Sequence, residues 1–67
     1  MIELERIEFT TPTYIGRSPR STSRIEDSEE CRIFLLTEEQ LVVLITEGKQ
    51  IGIPLAQIKQ MTYKMDK

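Results

Sequence analysis

From Ile2 to Phe9 apolar and polar residues alternate, as a half-buried strand requires, but the phase slips by one between Leu4 and Ile7. A bulge near Glu5 and Arg6 accounts for the slip. Thr10-Thr-Pro-Thr-Tyr-Ile-Gly16 follows, β-prone around Tyr14 and Ile15 and interrupted by Pro12 and Gly16. Cys31–Leu36 carries apolar groups on both faces, Cys31, Ile33 and Leu35 on one and Phe34 and Leu36 on the other, which marks it as the central strand.

The next segment admits two readings. Thr37-Glu-Glu-Gln40 fits a capping box, with a helix running on to Gly48. Against that helix stand Val42, Val43, Ile45 and Thr46, whose branched side chains lose χ1 freedom in a helix and pack well on a sheet. A strand over Leu41–Thr46 is the favoured reading. A turn at Glu47-Gly-Lys49 then returns the chain into Gln50–Ile53, and Pro54 ends central pairing because it has no N–H to donate. Leu55–Gln60 holds one short helical turn with Leu55 and Ile58 inward, and Met61, Tyr63 and Met65 alternate with polar residues as a last strand. The fold class expected is mainly β, a small antiparallel bent sheet or partial barrel of about five strands with at most one short helical turn.

Between these elements lies a stretch of different composition. Arg17–Glu30 has four serines, Pro19 and a single aliphatic, Ile25, and reads as a long Arg/Ser-rich loop within one domain spanning residues 1–67. Its charge is uneven. From Pro12 to Arg24 there are three arginines, Arg17, Arg20 and Arg24, and no acid; from Ile25 to Glu39 there are six acids against Arg32. The net charge of −2 disfavours a dedicated nucleic-acid binder.

A chain of 67 residues buries only about 60% of its unfolded surface, so its stability calls for supplementary burial. One cysteine, Cys31, and no histidine exclude an internal disulfide and a single-chain Cys/His zinc site, which leaves self-association as the expected supplement. No apolar run reaches the roughly 18 residues of a membrane span, and a cytoplasmic location is expected.

The string Phe34-Leu-Leu-Thr37, then Leu41-Val42, Gly48-Lys49 and Ile51-Gly-Ile-Pro-Leu55 with Ile58 and Met61 resembles the strand core of bacterial PH-like and GRAM-like domains over residues 31–64. Around Thr46-Glu-Gly-Lys-Gln50 the hairpin is also similar to the end of Sm-like barrels. The resemblance implies a small bent sheet used for binding and carries over no functional residue. The chain departs from both patterns, being too short for a PH sandwich with its closing helix and lacking the N-terminal helix and first motif of Sm proteins.

Catalysis is not expected, because neither a Ser nor the Cys has a histidine to serve as base and the glycines fit no phosphate-binding spacing. No cofactor is implied. Recognition has one candidate stretch, in which Arg17, Arg20 and Arg24 interleave with Ser18 and Ser21 and follow Tyr14. Guanidinium forks match phosphate oxygens, hydroxyls add hydrogen bonds and the tyrosine ring can stack on a base. The expectation is a homo-oligomeric binding module for a nucleotide or another phosphate compound. The alternative is a protein-interaction or inhibitor module, of a kind carried by mobile elements, that works through a sheet edge and the acidic segment.

Overall fold

The β-branched run chosen over the capped helix does form a strand. In the computed structural model, which describes residues 1–16 and 19–65, β3 (Cys31–Leu36), β4 (Leu41–Thr46) and β5 (Lys49–Pro54) pair as an unbroken antiparallel meander. The capping-box residues make a tight connection, with Gln40 at a φ of 56° and its N–H donated to the Thr37 carbonyl at 3.3 Å. Between β4 and β5, Glu47 and Gly48 take φ values of 52° and 71°. Two successive positive φ angles twist a two-residue turn the way the flanking strands twist.

β1 (Ile2–Tyr14) organises the rest of the sheet. Its start pairs with β3, its middle with β6 (Ile58–Tyr63), and Arg6 onward with β2 (Ser21–Glu26). Leu4 is matched by Ile33 on one side and Tyr63 on the other, and Ile7 by Ile25 and Met61. Strands β3 and β2 therefore lie end to end along one edge of β1, with β6 along the other. A 3-10 turn, Leu55–Gln57, joins β5 to β6 and completes a curled sheet that is mainly β, as the sequence implies. Among the described residues it has six strands.

The expected bulge is present. Against β6 the register steps from Leu4–Tyr63 to Arg6–Thr62, leaving Glu5 unmatched, and this lets Leu4 and Ile7 both face the core. Lys59 makes a second bulge in β6. The inner face buries Leu4, Ile7, Phe9, Ile33, Leu35, Val42, Leu44 and Ile53, with Ile25, Cys31, Leu55, Ile58 and Met61 packed at its margin.

Three expectations are corrected. The stretch read as a loop over 17–30 contains strand β2, because pairing with β1 supplies what its Ser- and Thr-rich sequence lacks in hydrophobicity; Ile25, its lone aliphatic, sits opposite Ile7. Pro12 does not end β1. Between Glu8–Arg24 and Thr13–Thr22 the chain takes five steps in β1 and two in β2, so Pro12 falls in an irregular section where no ladder donor is required. The last strand begins at Ile58 rather than Met61, and of Met61, Tyr63 and Met65 the first packs against the core while the other two are exposed.

Candidate functional site

The residues expected to grip an anion lie on the hairpin formed by the distal half of β1 with β2. Tyr14 sits directly opposite Ser21, so these two share a face, and Tyr14 is 67% exposed. Arg24, three positions along a regular strand, points to the opposite face. Its Nε lies 4.0 Å from Glu26 Oε1, at the limit of an ion pair, with both side chains well exposed. Arg20 occupies the exposed bend before β2. Arg17 and Ser18 lie outside the described residues. The hairpin thus brings Tyr14 and Ser21 together and places Arg24 on the other face of a basic arm.

A different surface was not anticipated as a site. Phe34 and Leu36, read from sequence as the second apolar face of a central strand, lie on the outer side of the sheet and are only partly buried. Opposite them on β4 stand Val43 and Leu41, and Ile45, 37% exposed, lies opposite Arg32. The next strand adds little cover, because Gly52 pairs with Val43 and Pro54 with Leu41. An antiparallel sheet with one solvated face ordinarily alternates apolar-in with polar-out. Here the outer face of β3 and β4 is apolar from Leu36 and Leu41 to Phe34 and Val43, and ends at Ile45 opposite Arg32. Acids mark both ends: Glu38 and Glu39 in the β3–β4 connection, and Glu29, Glu30 and Glu47 around a shallow depression that Ile45 helps line.

Beside this face four charges form a closed ring. Lys64 Nζ approaches Asp27 Oδ2 at 2.8 Å and Glu3 Oε2 at 3.6 Å, while Arg32 approaches Asp27 Oδ1 at 3.2 Å and Glu3 Oε2 at 3.5 Å. The hydrogen bond from Lys64 and the nearby cations hold the Asp27 carboxyl below its ordinary range despite partial burial, and Asp27 in turn raises Lys64. The Arg32 guanidinium also lies 5.9 Å from the centre of the Phe34 ring, within cation–π reach. The ring ties the ends of β6 and β2 to β1 and β3 and flanks the apolar row. Cys31 is half-buried, and burial followed by the Asp27 charge pushes its thiol up, away from the reactive thiolate.

Comparison with family models, curated proteins and solved structures finds no match to this chain. Its resemblances to PH-like, GRAM-like and Sm-like domains rest on the quoted residues alone.

The outer face could have been found from one signal, the two-faced apolar pattern of Cys31–Leu36 and Leu41–Ile45. No helix among the described residues is long and apolar enough to cross a membrane.

Proposed function

We propose that the protein is a protein-interaction module that docks a partner on the outer face of β3 and β4. The observation carrying this reading is the partly exposed apolar row of Phe34, Leu36, Leu41, Val43 and Ile45, with acids beyond both ends and Arg32 opposite Ile45. A surface of that composition suits a partner segment with apolar residues at its centre and lysines or arginines at its flanks. The apolar centre contributes burial, and the acidic ends give orientation and a faster encounter. The activity is then binding, and the chain itself performs no chemistry.

A second reading keeps the basic arm as the site, with Arg20 and Arg24 meeting a phosphate compound beside the exposed Tyr14. Its support is that no acid lies between Thr10 and Ile25, so the arm is the one extended basic segment in an acidic chain.

One experiment separates them. A partner recovered from source-cell extract is purified and its affinity measured against variants. Under the first reading Val43→Lys and Ile45→Lys weaken binding at least about tenfold, and Arg20→Ala and Arg24→Ala do not. The reverse pattern, or binding of inorganic phosphate or nucleotides that is lost in the arginine variants, overturns the first reading.

A further inference from the structure

Among the described residues the sheet has three outer strands, and two of them are defended against further pairing. β5 carries Lys49 at one end and Pro54 at the other, and β6 carries Lys59 at a bulge. Lysine, proline and bulges are the usual devices that keep an edge from accepting another strand. β2 has none of the three over Ser21–Glu26 and pairs with β1 alone.

The orientation of its backbone can be worked out. The Asp27 N–H donates to the Glu5 carbonyl at 2.8 Å, which makes Asp27 and Glu5 a hydrogen-bonded antiparallel pair. Hydrogen-bonded and non-hydrogen-bonded pairs alternate, so Ile25 also turns its N–H and C=O toward β1, at Ile7. Arg24 and Glu26 therefore present theirs to the open edge. The Arg24 carbonyl accepts the Thr22 hydroxyl at 2.7 Å and retains a second lone pair.

The side chains suit one occupant. Reading β2 antiparallel to itself about a two-fold axis through Ile25 sets Arg24 opposite the partner's Glu26 and Glu26 opposite the partner's Arg24, with the two isoleucines facing each other. The same register joins Arg24 and Glu26 to the partner's Glu26 and Arg24 through four backbone hydrogen bonds. Ile25, partly buried at the margin of the core, gains cover from its own copy. Sliding the register by two residues toward the hairpin tip opposes Arg24 to the partner's Arg24, and by four opposes Ile25 to a serine, so only the first combines opposite charges with apolar contact.

We infer that the protein self-associates as a two-fold dimer through the outer edge of β2, in the register centred on Ile25, joining two curled sheets into one continuous sheet. The residues used are distinct from the outer face of β3 and β4, so both surfaces can be occupied at once and each claim fails separately.

Sedimentation equilibrium of the full chain tests it from micromolar to millimolar concentration. Wild type gives a concentration-dependent dimer of twice the 7.8 kDa chain mass. Arg24→Glu and Glu26→Arg each place like charges opposite one another twice, weakening the dimer about tenfold. The double variant R24E/E26R restores it, and mixing the two single variants gives a heterodimer by native mass spectrometry. In a Cys31→Ser background, mild oxidation cross-links Ile25→Cys, which lies at a non-hydrogen-bonded pair, and leaves Ser21→Cys monomeric. A monomer at all concentrations overturns the inference. So does a dimer indifferent to both charge reversals, or one that the double reversal fails to restore. Should a charge variant fail to fold, cross-linking decides, and absence of the Ile25→Cys dimer counts against the inference.

Discussion

Asp27 and Lys64, 37 positions apart in the chain, meet at 2.8 Å and share their charges with Arg32 and Glu3. The contact closes the sheet at the point where β6 runs out, and the Lys64 N–H donates to the Glu3 carbonyl at 3.3 Å alongside it.

Its protonation makes stability depend on acid. The Asp27 carboxyl is held below its ordinary value in the fold, so its contribution is present above the unfolded value near pH 4 and is lost as pH falls through the lower folded value. Lys64 is raised, so its contribution persists below its ordinary value and disappears only in strong alkali. Asp27→Asn lowers the urea midpoint at pH 7, and the difference from wild type shrinks progressively as pH falls below about 4. A difference that stays constant over that range refutes this account.

Leu44 is fully buried, whereas its neighbour Ile45 is 37% exposed. Leu44→Ala should cost about 2–5 kcal/mol, a large share of the stability of so small a domain. Ile45→Ala should cost less than about 1 kcal/mol. Chemical denaturation of the pair measures both, and equal losses would mean that the outer face is as well covered as the inner one.

At the β4–β5 turn a Cβ added to Gly48 meets no atom within 4 Å, so any cost of Gly48→Ala is conformational. At a φ of 71° that cost is about 1 kcal/mol. Glu47→Asn changes a residue at a φ of 52° to one that tolerates it and raises the melting temperature. Thermal melts of the two variants should move in opposite directions.

Burial of Cys31 gives a kinetic expectation. Its thiol reacts with iodoacetamide more slowly than a free thiol at pH 8, and the rate accelerates at higher pH than for an exposed cysteine. Labelling as fast as that of an unfolded control would show that Cys31 opens readily to solvent.

The legible parts of the fold are those in which side chains carry the pattern. β3, β4 and β5 followed from alternation and β-branching, and the slip between Leu4 and Ile7 located the bulge at Glu5. β2 was not legible, because Ser21-Thr-Ser-Arg24 has nothing to bury and pairs through its backbone with a strand already in place. The passage of β1 through Pro12 was hidden for a related reason: the irregular register that excuses the missing donor exists only once β2 is there. Of the candidate residues, Tyr14, Ser21 and Arg24 could be named from sequence, but whether they shared a face depended on β2 being a strand. Phe34 and Leu36 were visible as the second apolar face of the central strand, and β3 does lie in the middle of the sheet, but that face is only partly buried.

The multiple pairing of β1 has a consequence for the order of events during synthesis. The meander from Cys31 to Pro54 joins neighbours in the chain and can form as it is made. Residues 4–9 wait for residues 58–63, about fifty positions later in the sequence, before their second edge is covered. Leu4 and Ile7 cannot be fully enclosed until residues 58–63 have been made, so a nascent chain halted before Ile58 exposes an apolar strand with an open edge, the surface on which holding chaperones act.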